Sequence, residues 1–194
     1  DPQGIFSCAL DVLRQMVQAA DDRGLAIEAI GLTGIWHSLL LVDGERQPVE
    51  RIRTWVDLAG ADHISAVRRD EELVRSCYHK TGCMVHAVYP AWKWHYLKYS
   101  QPELTEKARY ISSQMEYVFE SLTGEMAVSK SIASGTGFFN IHTLDWDTDV
   151  LDIMGLAPDQ LGELVEAFHT APLKPEIAQL VGLPSGVPVT VGCA

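Results

Sequence analysis

The chain is short of positive charge. Fifteen lysines and arginines stand against 26 aspartates and glutamates, a formal net charge of −11. Polyanionic partners reward clustered Lys and Arg, so neither nucleic acid nor an anionic membrane surface is an expected partner. Long apolar runs are missing as well: none approaches the roughly 20 residues that a bilayer crossing needs. The first residues also lack the charged and apolar regions of a signal peptide. A soluble, cytoplasmic protein is the expectation.

Paired cysteines are absent too. Cys8, Cys77, Cys83 and Cys193 form neither a CxxC pair nor the framework of a small secreted fold. His79 and His86 lie near Cys77 and Cys83, but the spacing fits no common zinc pattern, so buried or half-buried reduced thiols are expected. The GxxxxGK[ST] phosphate loop, the HExxH helix and a Ser–His–Asp arrangement do not occur. Ser134-Gly135-Thr136-Gly137 offers glycines and hydroxyls, yet without a Walker lysine it reads as a turn between elements. The carboxylates of Asp145, Asp147, Asp149 and Asp152 suit the start of a helix and its dipole better than acid–base work.

What is present is ample apolar material. Hydrophobic residues make up 47% of 194 residues, enough for one domain with a sizeable core. Phe6, Ala9, Leu10, Leu13, Met16, Val17 and Ala20 recur at helical spacing behind Asp1-Pro2, a cap and first turn. Ala26 to Leu32 reads as a buried strand and Ser38 to Val42 as a second, ending at the Asp43-Gly44 turn. Helices are expected over 59–77, from Pro90 to before Pro102, over 117–122, 148–154, 158–168 and 175–181. The charge run 68–72 reads as a solvated face, and Lys93 as snorkelling over the tryptophans of its helix. Val187, Val189 and Val191 mark a third strand after the turn at Pro184 and Gly186. Three clear strands among many helices predict α/β layering with an incomplete mixed sheet. The third strand points toward the carboxyl edge where ligands gather in α/β folds, so the chain reads as part of a larger machine.

Two pairs of residues carry chemistry. Trp36-His37 at a strand–strand junction sets an aromatic face beside an imidazole. Thr54-Trp55-Val56-Asp57 sets a second tryptophan beside a carboxylate. Aromatic faces pack on the C–H faces of sugars while imidazoles and carboxylates bind hydroxyls, so the pairs suit a polyol. Ordinary core tryptophans, a structural histidine and a helix-capping Asp57 would account for the same residues.

The residues also carry a family resemblance. Thr33-Gly34-Ile35-Trp36-His37-Ser38-Leu39-Leu40-Leu41-Val42-Asp43 resembles the "TGQMHSLLLLD" stretch of FGGY carbohydrate kinases, and Thr54 to Asp57 their "TWxD" segment. Thr81-Gly82-Cys83, His86 and Tyr89-Pro90-Ala91-Trp92-Lys93 are similar to their "TGC…H…YP…K" pattern. Leu122 to Glu125 matches "LTGE", Ser131 to Ile141 matches "SIASATGLFNI", and Gly182-Leu183-Pro184 with Val187 to Val189 matches the strand before the catalytic loop. The matches run in collinear order along nearly the whole chain.

That resemblance implies an actin-like, ribonuclease-H-like α/β lobe and ATP-dependent phosphorylation of an open-chain sugar or sugar acid. Gluconate is favoured, then xylulose, ribulose or a polyol. It implies that residues 1–194 are part of the sugar-binding N-terminal lobe, lacking the opening phosphate-binding hairpin and the C-terminal nucleotide lobe. The general-base Asp is expected just after Ala194, so no catalytic residue is expected within the chain. ATP and Mg2+ belong to the full-length enzyme, and this chain alone is expected to bind neither and to be inactive. Substrate-binding positions carried over are Trp36, His37, Trp55, Asp57 and Tyr89. Ile35 and Trp36 replace the usual Gln and Met, Ala59 stands where many members have Arg, and Ser129 where many have Asp. The partner is a small sugar or sugar acid, and a homodimer stays open. A non-catalytic sugar-binding or interaction module is the alternative.

Overall fold

In a computed structural model describing residues 1–193, the chain opens with helix α1 (Pro2–Asp21). The Asp1 carboxylate accepts the Gly4 amide at 3.1 Å and Pro2 presets the first turn. Leu10 and Val17 are buried as the apolar stripe requires. Met16 departs from it and is 56% exposed.

The strand expected over 26–32 does not form. Only Ile30 of that stretch is buried, and the backbone makes isolated parallel bridges, Ile30 to Val189 and Thr33 to Cys193. A ladder needs partners on successive residues, and among the described residues 26–29 has none. Strand β1 (Leu40–Val42) is wholly buried and runs into a turn that Asp43 closes by accepting the Glu45 and Gln47 amides at 2.9 Å.

The expected helix over 59–77 is two helices, α2 (Ala61–Val67) and α3 (Glu71–Thr81). Asp70 leaves the helical region at φ −82, ψ 92 and accepts the Leu73 amide at 3.0 Å. The charge run is therefore a helix boundary as well as a solvated face, because a capping carboxylate competes with helix continuation. Helices α4 (Pro90–Ser100) and α5 (Pro102–Lys107) follow, each opened by its proline. Strand β2 (Tyr110–Ser112) pairs antiparallel with β1. Helix α6 (Gln114–Thr123) ends at Gly124 and α8 (Thr148–Met154) at Gly155, both left-handed.

Between them lie β3 (Ala127–Ser129), the short helix α7 (Lys130–Ala133), β4 (Phe139–Asn140) and β5 (Asp145–Trp146). Asp147 caps α8 by accepting the Val150 amide at 2.9 Å, as the acidic cluster implied. Residues 158–168 do not form the expected helix. A 3-10 turn at Pro158–Gln160 gives way to β6 (Glu163–Val165), parallel to β3. Gly162 weakens any helix here, and the ladder with the buried β3 outweighs local propensity. Strand β7 (Thr170–Pro172), helix α9 (Pro175–Val181) and β8 (Pro188–Thr190) complete the described chain, with β7 and β8 antiparallel.

Among the described residues there are eight short strands where three were read from sequence, two of the three being present as β1 and β8. Segments of two or three residues are too short to show a period of two. The strands form four two-stranded pairs, and the core falls into separate apolar clusters. One gathers around α4, with Trp92, Leu97 and Met154; another lies between α1, α6, α9 and β8, with Phe119 and Val189. No helix among the described residues is long and apolar enough to cross a membrane.

Candidate functional site

Parallel pairing brings several chain segments to one edge. The 30–33 segment runs parallel to β8, and β3 runs parallel to β6. Residues just beyond the carboxyl ends of 30–33 and β3 then meet. Trp36 Nε1 donates to Ser131 O at 3.2 Å, and His37 Nδ1 lies 2.7 Å from Gly135 O. A carbonyl can only accept, so Nδ1 carries the hydrogen and the neutral ring keeps its lone pair on Nε2.

The corner is shaped by close backbone approach. His37 has φ 58, a left-handed conformation that turns the chain sharply between Thr33 and β1. A Cβ on Gly135 would stand 2.9 Å from the Trp36 indole and 3.2 Å from His37 Cε1, and one on Gly34 2.7 Å from Met115 Cγ. A side chain at Gly135 would push the pair out of place, and one at Gly34 would displace the Met115 side chain. Below them, Ser38 Oγ accepts the Gln114 amide at 3.0 Å, tying the junction to the start of α6.

Tyr89 completes the corner. Its ring meets His37 edge-on at 4.8 Å, while the Trp36 and His37 rings stack at 5.3 Å. Burial raises the Tyr89 phenol above its ordinary range, so it stays protonated and can donate. Trp36 remains 40% exposed, leaving an aromatic face open to a ligand.

Trp55 and Asp57 sit on a separate loop, residues 54–60. Trp55 is 54% exposed and so is no core tryptophan. The Asp57 carboxylate receives Arg53 at 3.2 Å and the Ala59 amide at 3.0 Å. It braces its own loop, while Gly60 takes the N-cap position of α2. Helix α4 links the two groups, with Tyr89 as its N-cap in the corner and Lys93 in its first turn beneath the loop.

Lys93 does not snorkel. It is 5% exposed, donating to Ala87 O at 2.8 Å and to Asp57 O. A lysine ammonium normally seeks water, but here two carbonyls replace it. The carbonyls of Ser131 and Gly135, which fix Trp36 and His37, also escaped sequence reading. Their only sequence signal was the collinear Ser131 to Ile141 match.

Ser134-Gly135-Thr136-Gly137 is a turn after α7, and its hydroxyls are already used: Ser134 Oγ donates to Ser131 O and Thr136 Oγ1 to Ala133 O. That leaves no phosphate cradle there. Among the described residues no three His, Cys, Asp or Glu side chains gather to hold a metal. His86 Nδ1 instead accepts the Val88 amide at 3.1 Å. Cys77 and Cys83 are buried, whereas Cys8 and Cys193 are exposed, against the expectation for all four. Burial pushes the Cys83 thiol up to about 11, which leaves it unreactive at neutral pH.

Known proteins share both sequence and fold with this chain. The sequence model of the FGGY family of carbohydrate kinases, N-terminal domain, matches residues 1–194. A gluconokinase of Bacillus licheniformis is 27% identical over 197 residues, which take in 100% of this chain and 37% of that protein. A xylulose kinase of Streptomyces rubiginosus is 29% identical, covering 88% of this chain and 35% of its own length. The crystal structure of a gluconate kinase from Lactobacillus acidophilus matches with a TM-score of 0.94 at 26% identity, over 100% of this chain and 39% of that one. The architecture is accordingly the actin-like, ribonuclease-H-like α/β fold of those kinases. The chain spans only 37% of the length of the gluconokinase it matches. It belongs to the FGGY family of carbohydrate kinases, within that family's N-terminal domain.

Proposed function

We propose that residues 1–194 form the sugar-binding part of an ATP-dependent kinase acting on an open-chain sugar or sugar acid. Gluconate stands ahead of xylulose, ribulose and polyols. The observation that carries this reading is the corner of Trp36, His37 and Tyr89. It offers an open indole face beside an imidazole whose Nε2 lone pair can accept a hydroxyl proton. An indole stacks on the C–H face of a polyol while polar groups at its edge order the hydroxyls.

The role of this chain is binding and orientation. His37 Nε2 accepts from one hydroxyl, the Tyr89 phenol donates to another, and Trp36 excludes water from one face. Fixing the acceptor in this way removes rotational freedom before reaction, which lowers the barrier without any chemistry by these groups. The Ser134–Gly137 turn has spent its hydroxyls on its own backbone and offers none of them to ATP or Mg2+. In this reading the nucleotide, its metal and the general base belong to a longer gene product, which the 37% share of the matched gluconokinase supports. A homodimer of that product remains part of the proposal without a contact here to specify it.

A coupled assay with pentuloses, hexonates and polyols on the complete gene product tests the substrate class. Gluconate is expected to give the highest kcat/KM; phosphorylation of closed-ring hexoses alone would overturn the reading. The 194-residue chain by itself is expected to show no turnover above a no-protein control.

A further inference from the structure

The geometry points to Lys93 as a positioning residue that pins the Trp55–Asp57 loop against α4 and so sets one wall of the sugar cleft. Its effect on substrate rests on the sugar-kinase reading, whereas the contact itself does not. Lys93 lies among Trp92, Leu97 and Ala91, which are all at most 2% exposed. An ammonium in such surroundings needs acceptors. It finds Asp57 O on the loop and Ala87 O ahead of α4, so one side chain bridges two separate segments.

Two further contacts hold the loop close to α4 on either side of that bridge. Gly60 lies so close to α4 that a Cβ there would stand 2.7 Å from the Tyr96 ring. Arg53 holds the other end, bonded to both Glu50 oxygens at 2.7 and 2.8 Å and to Asp57 at 3.2 Å. Trp55, between these anchors, has its indole largely in solvent. Without Lys93 the buried Ala87 carbonyl and the partly buried Asp57 carbonyl would lose their donor, and the Ala87 carbonyl could regain water only if the loop lifted from α4.

The titration of Lys93 gives this bridge a signature. Burial drives its pKa down to about 8 from 10.5; nearby Asp57 opposes that fall and Arg53 adds to it. With the loop lifted, the ammonium would meet water and return toward 10.5. The docked form thus holds its proton less tightly, and raising the pH between those values favours docking. A neutral amine still has two hydrogens for two carbonyls.

The test begins with amide exchange at pH 7 in the 194-residue chain and in Lys93→Met. The Asp57, Ala59 and Ala61 amides, each bonded within the loop, are expected to lose protection at least tenfold in the variant. The Ala178 amide in α9 should keep its protection. Equal loop protection in a folded variant would overturn the inference. Should Lys93→Met not fold, the wild-type chain decides: its Trp55 indole NMR signal is expected to titrate with a midpoint near 8. A signal that stays fixed through that range would overturn it too. In the complete gene product, Lys93→Met is expected to raise the sugar KM about tenfold with kcat changed less than threefold. If that product phosphorylates no sugar, the kinase reading fails while the exchange result still settles the role of Lys93.

Discussion

The corner at Trp36 and His37 and the loop at Trp55 and Asp57 both set an aromatic beside a polar group, yet they are held by opposite means. Backbone fixes the corner: two carbonyls fasten the rings, and two glycines allow the approach. Long side chains fix the loop, through Arg53 and Lys93. Backbone contacts leave few alternatives, whereas a tether of lysine or arginine has rotamers to explore once it lets go. The corner is therefore the preorganised region of the two and the loop the adjustable one.

Each region also rests on a buried ionisable group, with opposite pH behaviour. In α6, two residues beyond the Gln114 that bonds Ser38, Glu116 is buried and its carboxyl is raised to about 7, with hydrogen bonds from Ser113 opposing the shift. The unfolded chain gives up that proton near 4.5 and the folded chain near 7, so stability falls as pH rises between those values. Lys93 under the loop favours the docked, folded form as pH rises above about 8.

The largest expected effect breaks the corner. Gly135→Val drives a side chain into the Trp36 indole, and overpacking of this kind costs up to about 3 kcal/mol. Sugar binding by the complete gene product, followed by calorimetry, should fall accordingly while the exchange protection of the 54–60 loop holds. Next comes Glu116→Gln, which removes a charge that the fold disfavours. It should stabilise the chain by roughly 2 kcal/mol at pH 8 and by little at pH 4, read from urea unfolding at both values. The smallest effect belongs to the loop. Trp55→Ala exposes no core and should change stability by less than about 0.5 kcal/mol in thermal unfolding.

The same contrast explains what could be read from sequence. Several helix ends were legible from their caps: Asp1 and Pro2 for α1, Gly124 after α6, Asp147 and Gly155 around α8. The corner was legible because Trp36 and His37 are adjacent in sequence and lie in a collinear family stretch. Short strands such as β3 and β6 were not, since their pairing joins residues far apart in the chain. Asp70 looked like one charge among several, although its side chain divides a helix in two. Lys93 was misread for a related reason. Helical spacing shows which residues neighbour it on α4, but nothing in that spacing reveals that residues 57 and 87 close over it.

The most direct test compares Trp36→Ala and His37→Ala with the unaltered complete gene product in steady-state kinetics on the preferred sugar, with folding checked by circular dichroism. Loss of the open indole is expected to weaken sugar binding by about 1–3 kcal/mol, and loss of His37 to lower binding and kcat together. Unchanged kinetics in both folded variants would contradict the account and return Trp36 and His37 to purely structural roles.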